Sequence, residues 1–142
     1  MKPAKALLPF LGTWKMTASE STMPDVPYPT AGITTFSQEE DGLHYSFDGV
    51  YSQGRAVKVT LVAHLDGNWY PAVGSQVADT ISFSIRENGT IEARLKKDGK
   101  EVGSNFGSVS VDGQLFTLRW ELIAPNGATI TWVTTSERTS AL

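Results

Sequence analysis

Residues 91–122 read IEARLKKDGKEVGSNFGSVSVDGQLFTLRWEL, and their pattern decides the fold. Two turn dipeptides, Asp98-Gly99 and Asp112-Gly113, divide this stretch into three segments. Both dipeptides suit type I′ turns, in which the two central residues adopt a positive φ at low steric cost. After the second turn, apolar and polar side chains alternate from residue 116 to residue 122. A period of two with one polar face is typical of antiparallel strands with one wet side, so the stretch predicts three hairpin-linked strands.

Turn dipeptides of the same kind recur along the rest of the chain. Further turn dipeptides are Asp41-Gly42, Gln53-Gly54, Asp66-Gly67, Asn88-Gly89 and Asn126-Gly127. Many of the stretches between turns run about 8–12 residues, a spacing that favours antiparallel strands in a sandwich or barrel. The alternation predicts about ten strands, at residues 12–18, 31–39, 43–50, 55–65, 68–72, 79–86, 90–97, 100–111, 114–123 and 128–137. Helix is limited to a turn around Lys5–Phe10, because no longer segment has apolar residues at a helical period.

Short links between sequential strands favour an up-and-down meander. Closing such a meander into a barrel removes both sheet edges, whereas a two-sheet sandwich with Greek-key crossings needs longer connections. We therefore expect an all-β, up-and-down antiparallel barrel of about 8–10 strands, wide enough for a small ligand, with the sandwich as the alternative. Two longer connections, residues 18–30 with three prolines and residues 71–79, are candidates for its mouth.

Composition limits the classes of function. The chain has 142 residues, which predicts a single domain over 1–142. Twelve Lys and Arg against fifteen Asp and Glu argue against nucleic acid as a partner. No Cys and only two His make a thiolate nucleophile or a metal site improbable, and nothing indicates a cofactor. No apolar run approaches the ~20 residues of a membrane span. As written, the chain predicts a cytoplasmic protein, or a secreted or periplasmic one if a leader was removed.

The first predicted strand carries a pattern known from one superfamily. Phe10-Leu11-Gly12-Thr13-Trp14-Lys15-Met16 contains the G-x-W triplet of the calycins, which include lipocalins and fatty-acid-binding proteins. It resembles the F-x-G-T-W-K-L opening of a group of bacterial lipocalin-like proteins. Further similar segments are Asp41–Gly49, Leu65–Gly74, Ala78–Ile81 and Leu95–Lys100, so the resemblance covers about residues 10–138. It implies a calycin-like barrel and no single activity.

The resemblance also implies a structural signature at the base of the barrel. Calycins pack an Arg or Lys from the last strand over the motif Trp, which here implies Arg138 over Trp14, next to Gly12. The chain departs from its relatives at Phe106-Gly107, where they often carry an Arg-Arg pair.

An inward Trp14, as in calycins, fixes which residues face the interior. Propagating the parity gives an aromatic-rich lining without formal charge. The predicted ligand-binding residues are Phe36, Tyr45, Phe47, Leu61, Tyr70, Phe83, Phe106, Leu118, Trp120 and Trp132. The alternative is a filled core without a pocket. Small Ala63, Ala93 and Ser104 favour the pocket.

Three functions fit this interior. The first is binding of a small, largely apolar and uncharged or weakly polar molecule, because no inward Arg is expected to anchor a fatty-acid carboxylate. The second is a lipocalin-like isomerase or cyclase, of the pericyclase type, acting on a hydrophobic molecule in biosynthesis, with Tyr45 as general acid or oxyanion donor. Tyr45 in a merely structural role is the alternative within that hypothesis. The third is a structural or interaction module with a solid core.

The outward face offers fewer signals. His44 and His64 fall on it by the same parity and are interpreted as solvated imidazoles. The alternative, which requires the inverted parity, is a general base beside Asp48 or Glu121. Arg119 and Glu121 either form exposed ion pairs or belong, with Trp69 and Val62, to the contact surface of a homodimer.

Overall fold

A computed structural model describes residues 5–124 and 126–140 of the chain. A 3₁₀ helix, Lys5–Phe10, precedes ten β-strands. They are β1 Gly12–Ser21, β2 Pro29–Glu39, β3 Gly42–Tyr51, β4 Ala56–Ala63, β5 Tyr70–Val73, β6 Thr80–Ile85, β7 Ile91–Lys97, β8 Lys100–Val109, β9 Leu115–Ile123 and β10 Thr129–Ser140. Each predicted strand has its counterpart. The single-domain prediction extends over residues 1–4, 125, 141 and 142, which lie outside the described residues.

The ten strands close into one barrel. Each strand is hydrogen-bonded to the next along the chain, and β1 pairs with β10 to complete the ring. All of these pairings are antiparallel. The prediction of an all-β, up-and-down barrel is therefore confirmed, and the sandwich alternative is wrong, since the ring leaves no free edge.

Trp14 and Arg138 build one closed end of the barrel, here called the base. The indole of Trp14 is fully buried, and the Arg138 guanidinium lies 4.2 Å from the ring centroid. Arg138 also donates hydrogen bonds to the main-chain carbonyls of Pro9 and Leu11 at 2.6 Å and of Gly113 at 2.8 Å. These bonds tie the last strand to the 3₁₀ helix and to the β8–β9 turn. Since Phe10 packs edge-on against rings of the lumen, the helix plugs the base.

The two connections predicted to form a mouth both lie at the end opposite the base, here called the mouth. The β1–β2 connection is shorter than predicted, because β1 continues to Ser21 and β2 begins at Pro29. Proline is tolerated as the first residue of a strand, where its missing N–H costs no ladder bond. The β5–β6 connection, residues 74–79, lies at the same end. Met23, Val26 and Tyr28 of the first loop pack on the core, so this loop partly covers the mouth.

Strand β8 departs from the predicted parity. The β7–β8 register shifts between Leu95, which pairs with Gly103, and Lys96, which pairs with Glu101. Val102 is thus the extra residue of a β-bulge, and a bulge re-aims the side chains that follow it. For this reason the prediction that Phe106 points inward is wrong. Phe106 lies on the outer face, where the centroid of its ring is 4.9 Å from Cζ of the Arg86 guanidinium.

In the described part of the chain, no helix has the length and apolar character needed to cross a membrane.

Candidate functional site

The lumen contains a cavity between the base and the mouth. Counted as the space open to the centre of a water molecule, its volume is about 50 Å³. That is room for about four water molecules, so a guest as large as a substituted ring requires side chains to move. Pro29, Tyr51, Ser75 and Val77 line its mouth side, on or beside the loops. None of the described residues that line the cavity is charged.

Six of the ten predicted ligand-binding residues meet around this cavity. They are Phe36, Tyr45, Phe47, Phe83, Leu118 and Trp120. Four do not line it. Leu61 and Trp132 are buried in the core beside it. Tyr70 packs partly buried against the core and donates a hydrogen bond to Asp66 at 2.7 Å, and Phe106 lies outside the barrel. The fold brings these six residues together around the cavity, and their role in binding stays a prediction.

Several polar lining residues were missed by the sequence reasoning. Thr134 and Ser136, each 4% exposed, share the inward face of β10 with Trp132, so the parity of that strand could have found them. Asn105, 8% exposed, could not be found in this way because the bulge in β8 reverses its face. Ser104, taken as inward, pairs with Arg94 and Glu121 on the outer face. Thr34, which shares the inward parity of Phe36 two residues further on, is buried and lines the cavity.

A row of cross-strand neighbours crosses the lumen side of four strands. Ala93 pairs with Asn105, Asn105 with Trp120, and Trp120 with Trp132. The two indoles are tilted by 37° with centroids 5.5 Å apart. The Nε1–H groups of both are buried, and no acceptor on the described residues lies within hydrogen-bond reach. The Trp14 indole, in contrast, donates to the Phe10 carbonyl at 2.9 Å. Unpaired buried donors are rare in folded proteins, which marks this row as unusual.

A pair of glycines makes space at the mouth side. Gly32 and Gly49 face each other directly across β2 and β3, on the same face as Thr34 and Phe47. The Phe47 ring leans onto this pair instead of projecting across the lumen. Phe47 forms with Tyr51, Val57 and Val59 a small cluster of its own, separate from the main core. The glycine pair therefore sets how far the Phe47 ring extends into the cavity.

Two phenols near the cavity are held in their protonated form. Burial raises the pKa of Tyr51 to about 12 and that of Tyr45 further still. Tyr45 packs against Phe36 and Phe83, with ring centroids 5.3 and 6.3 Å away. A phenol in such a position donates a hydrogen bond and does not act as a base near neutral pH. The catalytic role of Tyr45 stays a prediction.

The polar groups of the outer face pair among themselves. His44 lies outside the barrel, 2.6 Å from a carboxylate oxygen of Asp41, whose pKa this hydrogen bond lowers. Arg119 pairs with Glu121 at 3.1 Å, and Lys96 lies 4.1 Å from the ring centroid of Trp69. An open depression of about 440 Å³ on this face includes His44, Thr60, Val62 and Val73 among its lining residues. The homodimer through Trp69 and Val62 stays a prediction.

Comparison with known proteins supports the fold. No protein-family model and no curated protein matches the sequence. Among solved structures, the chain is similar to the zebrafish ileal bile acid-binding protein complexed with cholic acid, with 15% identity, TM-score 0.54, and 92% of this chain and 99% of that one covered. It is also similar to bovine odorant-binding protein complexed with its natural ligand, with 15% identity, TM-score 0.52, and 100% and 79% covered. At 15% identity these likenesses show a shared barrel fold and no more.

Proposed function

We propose that this barrel reversibly binds one small, largely apolar and uncharged molecule in its lumen. The observation that carries the proposal is the cavity itself, lined by seven aromatic residues and by no charged residue among those described. Apolar ligand surface removed from water there contributes about 25 cal/mol per Å². A charge in the same place has no partner to offset its desolvation. Two proteins of the same fold were solved with small molecules, one with cholic acid and one with its natural ligand, which supports small-molecule binding but not the absence of charge.

The size of the cavity narrows the ligand class. With a volume of about 50 Å³, the cavity takes a single ring bearing one short substituent only after some of its side chains move. Molecules with several fused rings require Phe47 or the loop of residues 22–28 to move. We therefore propose compounds of about ten non-hydrogen atoms as the first to be tested.

Thermal unfolding tests the proposal with cumene and acetophenone, two neutral compounds of this size. A ligand present at ten times its Kd stabilises the folded state by about 1.4 kcal/mol, which raises Tm by about 4 °C for a domain of this length. Ala93→Leu provides a variant with a filled cavity, since Ala93 is 1% exposed and lines the lumen. It is expected to abolish the shift in Tm.

Ala31→Leu is the matched control, because Ala31 is exposed on the outer side of β2. It is expected to respond to both compounds as the parent protein does. Equal responses of Ala93→Leu and Ala31→Leu would place the binding outside the lumen, and no response of the parent to either compound would contradict the proposal.

A further inference from the structure

The unpaired indole donors distinguish one wall of the lumen from the others. Trp120 lines the cavity, and its Nε1–H is buried without an acceptor among the described residues. Its cross-strand neighbour Asn105 also lines the cavity and is 8% exposed. On the other side, Trp132 holds a second unpaired Nε1–H at 1% exposure. Three groups with N–H donors thus lie side by side on adjacent strands.

A buried N–H group is stabilised when an acceptor receives its hydrogen bond. A buried N–H without a partner carries the full cost of its lost hydration, and water or a ligand group that accepts its hydrogen bond removes that cost. Asn105 adds two N–H donors and one carbonyl acceptor. The wall formed by β2, β3 and β6 is mainly apolar, with Phe36, Phe83 and Ile81, and its polar atoms are the hydroxyls of Thr34 and Tyr45. A guest is therefore oriented by the polar row on one side and by rings on the other.

We infer that the ligand carries a neutral hydrogen-bond-accepting oxygen, as in a ketone, ester or ether, and that this oxygen lies between the Trp120 indole and the Asn105 amide. This inference rests on the proposed function and names the class of compound that the same cavity takes. A carboxylate is excluded from the class because the described lining holds no cation to pair with it. An entirely apolar molecule leaves the indole donors unpaired.

Three probes of similar size separate these classes: acetophenone, a neutral ketone; cumene, the same shape without oxygen; and benzoate, planar and charged. The readout is the ¹H–¹⁵N NMR spectrum of the indole groups in the full chain. Four signals are expected, one for each Trp. Those of Trp14, already bonded to Phe10, and Trp69, outside the barrel, serve as internal references. Trp120→Phe identifies the Trp120 signal.

Acetophenone is expected to move the Trp120 indole proton downfield, as hydrogen bonding does, and to leave the two references in place. Cumene, bound in the same cavity, is expected to produce no downfield shift, and benzoate no change. An equal response of Trp120 to cumene and acetophenone, or binding of benzoate, would overturn the inference while leaving the cavity proposal standing. Failure of both neutral probes to bind would overturn both.

The variant Asn105→Leu adds an affinity test. It is expected to weaken acetophenone binding about tenfold, the loss of one to two hydrogen bonds, with cumene binding unchanged or tighter. Ser104→Ala is the control, since Ser104 lies next to Asn105 on the outer face, and is expected to change neither affinity. Equal losses for both probes in Asn105→Leu would show damage to the cavity in place of a lost polar contact, and would count against the inference.

Discussion

The ring of Phe47 occupies the space that a side chain at Gly32 would need. A Cβ at residue 32 would lie 2.4 Å from Cε1 and 2.6 Å from Cζ of that ring, and across the ladder one at Gly49 would lie 2.6 Å from the same Cζ. The ring therefore rests on bare backbone at the wall of the barrel. This contact links two strands to the width of the cavity.

Gly32→Ala is expected to push the Phe47 ring toward the lumen and to weaken binding of cumene at least fivefold. The ring is the far end of a flexible side chain, so the variant folds with a loss of about 1 kcal/mol. Titration calorimetry measures the affinity. Thr35→Ala, on the outer face of the same strand, is the control and is expected to bind as the parent does.

The double variant Gly32→Ala/Phe47→Leu tests the direction of the effect. A leucine is shorter than the ring, so binding is expected to recover. If Gly32→Ala binds cumene as tightly as the parent does, the glycine pair does not set the width of the cavity.

Arg138 is expected to contribute more to stability than any exposed arginine of the barrel. It makes three hydrogen bonds to main-chain carbonyls and packs over Trp14. Arg138→Met is expected to lower the free energy of unfolding by about 2–4 kcal/mol, measured by urea denaturation. Arg138→Lys keeps the charge without the planar fork and is expected to recover less than half of that loss.

Arg119→Met is the comparison, because Arg119 pairs only with the exposed Glu121 among the described residues. Its expected cost is about 0–1 kcal/mol. Equal losses in Arg119→Met and Arg138→Met would contradict the role assigned to the base of the barrel.

Gly103 is expected to be intolerant of any side chain. Its φ is +150°, and a Cβ there would lie 2.2 Å from the carbonyl oxygen of Glu121 and 2.9 Å from Cα of Leu122. Because these are backbone atoms of β9, Gly103→Ala is expected to lower the free energy of unfolding by about 3 kcal/mol. Gly89→Ala is the control. Gly89 has a φ of +86°, and an added Cβ there would contact no other atom. Only the left-handed conformation then lowers the free energy of unfolding, by about 1 kcal/mol. Similar losses in both variants would show that the bulge can relax.

The same bulge explains what the sequence could and could not predict. Turn dipeptides and alternation located every strand, because both depend on neighbouring residues alone. The interior of nine strands followed from one parity, with Trp14 as its origin. Phe106 and Asn105 lie on the faces opposite to those predicted, because Val102 is an extra residue in the pairing of β8 with β7. That pairing is a contact between strands, which the local sequence does not reveal. Gly103 was the only local sign of it, and glycine occurs at thirteen positions in the chain.

Which inward side chains line the cavity also depends on contacts between strands. Leu61 and Trp132 point inward by parity, yet other side chains separate them from the cavity. Their distance from it is set by the packing of rings from different strands, such as the tilted pair Trp120 and Trp132. Alternation predicts which face a residue takes, and it carries no information about which inward residues touch the open space.

The buried phenols predict a loss of stability at alkaline pH. In the unfolded chain a tyrosine ionises near pH 10, whereas burial raises the pKa of Tyr51 to about 12 and that of Tyr45 further. From pH 10 to about 12 the folded protein therefore holds more protons than the unfolded chain, so stability falls as pH rises. Each phenol contributes a slope of up to about 1.4 kcal/mol per pH unit. Urea denaturation at intervals from pH 9 to pH 11.5 measures the slope.

Tyr51→Phe and Tyr45→Phe are each expected to flatten that slope, because each removes one group that ionises at higher pH in the folded protein than in the unfolded chain. Absorbance of tyrosinate at alkaline pH gives an independent readout of the four phenols in the chain. Tyr45 and Tyr51, and also Tyr70, whose pKa its hydrogen bond to Asp66 raises, are expected to ionise at higher pH in the folded protein than in urea, where all four phenols ionise near pH 10. Ionisation of all four near pH 10 in the folded state would mean that water reaches Tyr45 and Tyr51 freely. The lumen would then be open and wet, and its uncharged lining would no longer select against charged ligands.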